Sequence, residues 1–137
     1  MSLWFDAQQL PGMTSWMKTQ YQEETAHAVL FIDFIADRGG EVTLQGLPQP
    51  PASFDSPIAA FEAALAHEEY ISGRIHTLYE MATTEGGHAS LPFLQGFITE
   101  QIEEEKSVSD VIARLKMAGD DSAALLSVDQ ELGQRTE

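Results

Sequence analysis

Three stretches of this chain place their seam residues at alternating steps of four and three, and no other feature constrains the fold as tightly. The first row is Met17, Tyr21, Glu24, Ala28, Phe31 and Ile35. The second is Phe61, Leu65, Glu68, Ser72, Ile75 and Tyr79, and the third is Phe97, Gln101, Glu104, Val108, Val111 and Leu115. Such steps gather residues on one face of an α-helix and make the seam of a helical bundle. A strand requires alternation with a period of two, and no convincing run of that kind occurs; there is also no repeat at solenoid periods. The chain therefore reads as all-α.

Helix punctuation agrees with these rows. Pro11-Gly12 reads as a break after a short opening segment, and the next segment runs from about Met13 to Gly39-Gly40. The stretch EVTLQGLPQPPASFDS has no helical period and reads as an extended connection. Ser56-Pro57 is a helix start, with Ser as N-cap and Pro at the first helical position. That helix continues to Gly86-Gly87, and another covers about His88 to Met117, stopping at Gly119. Asp121 or Ser122 then caps a last short helix through about Leu132.

At 137 residues the chain has the length of a single domain, spanning 1–137. It carries 22 acidic and 7 basic residues, a formal net charge of −15. Nucleic acid is a poor partner for such a surface, because phosphate needs cationic neutralisation. Cations are better partners. With no cysteine there is no disulfide framework, thiolate nucleophile or zinc–thiolate site. The opening MSLWFDAQQLPG lacks the basic and apolar regions of a signal peptide, and the apolar run at residues 28–32 is too short to span a bilayer. A soluble cytoplasmic protein is the default expectation.

Each seam is apolar at both ends and carries a carboxylate near its middle: Glu24, Glu68 and Glu104. A carboxylate buried alone is costly, and three at one level repel one another unless a cation lies between them. His27 stands three residues after Glu24, one turn away on the same face. Together with Gln101 these form an oxygen-rich set with one imidazole, which suits iron or manganese better than structural zinc. The competing interpretation is three coincidental seam glutamates in a wet groove. His67, His76 and His88 read as ordinary surface or interface residues, and Trp4, Trp16 and Tyr21 as packing residues.

The segments YQEETAHAVLFIDFIADRGG, HEEYISGRIHTLYEMA and FLQGFITEQIEEEKSVSDVIARLKMAG resemble the non-haem bacterial ferritins, and SAALLSVDQELG resembles their short fifth helix. The resemblance runs from about Met1 to Gly133. It implies a ferritin-like four-helix bundle with a long crossover between the second and third helices, and a di-iron carboxylate site. By resemblance Glu24 would bridge two irons and His27 would bind one of them. Glu68 and Glu104 would hold the second iron, with Gln101 beside the oxygen-binding side. Glu23, Glu100 and Glu103 match a possible third iron site, and Glu105 and Lys106 remain as surface. The implied activity is a ferroxidase that oxidises Fe(II) with dioxygen or peroxide and stores Fe(III) in a homo-oligomeric shell of twenty-four subunits.

Departures from the family pattern carry their own expectations. Bacterioferritins have a second Glu-x-x-His on the fourth helix, where Ser107 follows Glu104 here, and their haem methionine is Thr25 here; no haem is expected. The opening residues resemble only the end of the family's first helix, so most of that helix and its iron-binding glutamate are missing from the pattern. Met1 as an internal methionine of a longer chain is the favoured account. An added start and a natural shortening are the others. The alternative function is a non-enzymatic acidic helical protein that docks a partner helix in its open groove.

Overall fold

The computed structural model describes residues 1–134; residues 135–137, the end of the expected 1–137 domain, lie outside the described residues. Among the described residues there are five helices and no strand, as the seams require. They fall into two compact units, one made of residues 1–54 with the stretch from Asp121 onward, the other of Asp55–Asp120.

The second unit is a hairpin of two long helices, α3 (Pro57–Thr84) and α4 (Ser90–Ala118). Ser56 caps α3 as expected, its Oγ accepting the Ala59 N–H at 3.1 Å, and Pro57 occupies the first turn. Pro costs nothing there, because its missing N–H would have no intrahelical partner. The chain turns back after Thr84 through Gly86, whose φ of 73° is open to glycine at no steric cost. All six seam residues of α4 are buried. On α3, Phe61, Glu68, Ser72 and Ile75 are buried, while Leu65 and Tyr79 are half-buried. At about 1.5–3 kcal/mol for each large apolar side chain removed from water, Phe61, Ile75, Phe97, Val108, Val111 and Leu115 supply most of the drive that closes this unit. An ion pair between Lys116 and Glu62, 3.3 Å apart, joins the open end of the hairpin.

The first unit packs α2 (Pro11–Asp37) against two short helices, α1 (Ser2–Ala7) and α5 (Ser122–Leu132). Pro11 begins α2 rather than breaking the chain. The break falls at residues 8–10, where Gln9 takes a φ of 60°. Phe5, Leu10, Met13, Trp16 and Met17 make the core of this unit, and Trp4 sets its ring edge-on to Phe5 and Phe54. Leu10 has no side chain to cap α2. The cap comes from α5 instead: Asp129, 3% exposed, accepts the N–H of Gly12 at 3.1 Å and of Met13 at 2.8 Å. Asp121 caps α5 itself, accepting the Ala123 N–H at 2.8 Å.

Beyond Met17 the expected α2 seam is not buried. Tyr21, read as a packing residue, is 71% exposed. Phe31 is half-buried and Ile35 exposed, because neither α1 nor α5 is long enough to follow α2 over its second half. No helix among the described residues is long and apolar enough to cross a membrane.

Candidate metal centre

The expected site residues stand on three helices, and the structure brings together two pairs of them, Glu24 with His27 in one unit and Glu68 with Gln101 in the other. On α2, the helical pitch puts His27 one turn beyond Glu24, with His27 Nδ1 3.7 Å from Glu24 Oε2. The imidazole is the more sheltered of the two, 15% exposed against 41% for the carboxylate. Glu23 is half-buried beside them.

On the α3–α4 hairpin the polar layer is buried in the middle of otherwise apolar seams. Glu68 and Glu104 are each 8% exposed and Gln101 is 5% exposed. Gln101 Nε2 donates to Glu68 Oε2 and to the Glu68 carbonyl, both at 3.2 Å, and lies 3.3 Å from Ser72 Oγ, which accepts from it. Ser72 Oγ in turn donates to Glu105 Oε1. Buried polar groups are paired in this way because an unpaired one costs about 1–3 kcal/mol.

Of the three residues expected at an additional iron site, Glu23 and Glu100 are half-buried and Glu103 is exposed. Among the described residues, no three His, Asp or Glu side chains form a group that could hold a metal ion. Glu105 departs from its expected place on the surface: it is half-buried and held by Ser72. It lies about 100° around the helix from Glu104, which on α4 turns it toward the edge of α3 rather than into water. Ser72 had left a trace in the sequence as a hydroxyl on a seam one turn after Glu68. Lys106 is exposed and pairs with Asp110. His67, His76 and His88 are exposed, as expected of residues outside the seams.

A chain whose helices are apolar at both ends and carry carboxylates, an amide and an imidazole at mid-length has the make-up of the helical carboxylate metalloproteins. The family model described as a ferritin-like domain matches residues 1–118. The bacterial non-heme ferritin of Bacteroides fragilis (strain 638R) is 36% identical over 135 residues, which span 98% of this chain and 84% of that protein. That of Staphylococcus aureus (strain USA300) is 32% identical over 136 residues, 99% of this chain and 82% of its own. Among solved structures, an open-pore ferritin from the hyperthermophilic archaeon Archaeoglobus fulgidus is 44% identical with a TM-score of 0.97, covering 99% of this chain and 84% of that one. The chain belongs to the ferritin-like family, with bacterial non-haem ferritins among its relatives, and iron storage is the general function this membership supports.

Proposed function

We propose that this protein binds Fe(II) as substrate through Glu24, His27, Glu68 and Glu104, oxidises it with dioxygen or peroxide, and stores the Fe(III) inside a homo-oligomeric shell. Burial of two carboxylates, Glu68 and Glu104, in the middle of apolar seams carries this proposal. Water solvates a carboxylate better than any protein interior does, so a fold that withdraws two of them sacrifices stability unless a cation makes use of them. A non-enzymatic docking protein has no use for that cost, since a docking groove gains from an apolar seam throughout.

The ligand chemistry suits the reaction. Anionic oxygens hold Fe(III) more strongly than Fe(II), so the site favours loss of an electron from bound iron. Glu24 would bridge two ions, with His27 on one and Glu68 and Glu104 on the other. Gln101 would stand beside them as a neutral donor. Glu23, Glu100 and Glu103 would serve a third iron, taking up ions that leave the oxidation site. In this proposal residues 1–137 act as one ferritin-like domain of a cytoplasmic, twenty-four-subunit cage, and the net charge of −15 draws cations to it. No haem has a part in it.

The test is anaerobic addition of Fe(II) to metal-free protein, followed by air. Wild type is expected to develop the absorbance of oxidised iron with catalytic turnover, and the pair of variants Glu68→Ala and Glu104→Ala to lose it. Oxidation no faster than in buffer, or unchanged in both variants, would overturn the proposal.

A further inference from the structure

The hydrogen bonds of the α3–α4 polar layer have a direction, and it starts at a residue with no assigned role. Glu105, as a carboxylate, accepts only, so it takes the single hydroxyl proton of Ser72. With that proton committed, Ser72 Oγ meets Gln101 with a lone pair, and the amide must turn its nitrogen toward Ser72 at 3.3 Å. The same nitrogen then donates to Glu68 Oε2 and the Glu68 carbonyl at 3.2 Å. The opposite amide orientation would set Gln101 Oε1 against both Glu68 oxygens, placing acceptors against acceptors in a buried layer. A glutamine amide can sit either way round, and its hydrogen-bond partners decide which.

We propose that Glu105, acting through Ser72, is a positioning residue that holds the Gln101 amide nitrogen in place together with the Glu68 oxygens, and thereby steadies the Glu68 carboxylate that binds iron. This rests on the iron-site reading of Glu68. Replacing Glu105 with Gln exchanges an obligate acceptor for an amide that can donate to Ser72 Oγ as well as accept from it, so the Ser72 hydroxyl is no longer committed and Gln101 loses the assured third acceptor beside the two Glu68 oxygens. Replacing Ser72 with Ala removes the link itself. Glu105 is half-buried, so the chain of bonds runs from the edge of the hairpin to its buried layer.

The experiment is calorimetric titration of the full metal-free chain with Zn(II), which is not oxidised, alongside thermal melts and Fe(II) oxidation kinetics. E105Q and S72A are each expected to weaken Zn(II) binding about tenfold, as outer partners of metal ligands do. The double variant should be no weaker than S72A, since Glu105 works only through Ser72, and S72T, which keeps the hydroxyl, should recover most of the affinity. A merely structural role would instead give losses that add in the double variant and follow melting temperature. E68A is the reference. If E68A binds Zn(II) like wild type, the iron-site reading falls and this proposal falls with it. If E68A loses binding while E105Q and S72A keep it, or if losses in the double variant add, the positioning role alone is overturned.

Discussion

Asp129 and Gly12 stand at opposite ends of the chain and meet in its first unit: the Asp129 carboxylate accepts the Gly12 N–H at 3.1 Å, across 117 residues of sequence. The last helix thus supplies the cap that the start of α2 lacks in its own sequence, and Met13 N–H is held by the other carboxylate oxygen at 2.8 Å. Removing the carboxylate with Asp129→Ala leaves two N–H groups of a helix terminus without their acceptor. The expected loss is about 2–4 kcal/mol, and about half that for Asp129→Asn, which keeps one acceptor oxygen. Thermal melts at fixed protein concentration check this; equal melting of D129A and wild type would refute it.

The close approach of α5 also leaves no room for a side chain at residue 12. A Cβ there would lie 1.6 Å from the Asp129 carbonyl oxygen, and a Cβ on Gly133 would lie 3.2 Å from Gly12 Cα. Gly12→Ala is therefore expected to push α5 away from α2 even though Ala favours helix. The check is limited proteolysis with mass spectrometry: faster cleavage in residues 119–134 of G12A than of wild type, with cleavage of the α3–α4 hairpin unchanged.

The start of α3 offers a simpler measurement. Ser56 Oγ accepts one N–H, at 3.1 Å from Ala59. Ser56→Ala should cost about 1 kcal/mol, read as a lower melting temperature, and Ser56→Asp should restore most of it because aspartate caps as well as serine. A variant S56D that melts with S56A would show that the cap contributes nothing.

Metal stoichiometry is expected to be uneven if the iron proposal holds. Glu24 and His27 offer two ligands on α2, whereas Glu24, Glu68 and Glu104 offer three carboxylates. Calorimetry with Zn(II) should show one tighter and one weaker ion per chain. His27→Ala should remove the weaker ion and Glu104→Ala the tighter. Two equally tight ions in wild type would contradict this assignment.

Assembly follows from the second half of α2. Residues 28–35 are apolar except for Asp33, and in the single chain Val29 is 47% and Leu30 50% exposed. A helix apolar on all sides is stable in water only when covered. The protein is expected to run in light scattering as an assembly rather than as a 15.1 kDa monomer. Aspartate at both Val29 and Leu30 should reduce that mass, or raise hydrophobic-dye binding. A stable wild-type monomer that binds no dye would refute it.

The α3–α4 hairpin was legible from its residues. Every seam residue of α4 is buried, and every one of α3 except Leu65 and Tyr79, because neighbours three and four apart share a face whatever lies opposite; Leu94 and Ile112 on α4 and Ala60 and Ala64 on α3 are buried beside the seams and lay outside that reading. Ser56 was legible as a cap, and Asp121 as one of two candidates beside Ser122, for a similar reason, since a cap and the N–H groups it serves are local in sequence. The same local logic failed on α2. Its row of residues has the right spacing, yet Tyr21 is exposed, since spacing gives a face and not the thing that covers it.

Local periodicity therefore determined the all-α class, the seams, the polar residues at their middle and the pairing of His27 with Glu24 on one face. Only the tertiary structure decided which polar groups have partners across helices. Asp129 becomes the cap of α2, and Glu105 leaves the surface to hold Ser72, because each depends on a helix distant in sequence arriving at hydrogen-bond distance. Hydrogen-bond direction is the furthest removed from sequence: Gln101 turns its nitrogen toward Glu68 and Ser72 because each presents an acceptor there, and Ser72 does so because its one hydroxyl proton goes to Glu105 across the hairpin.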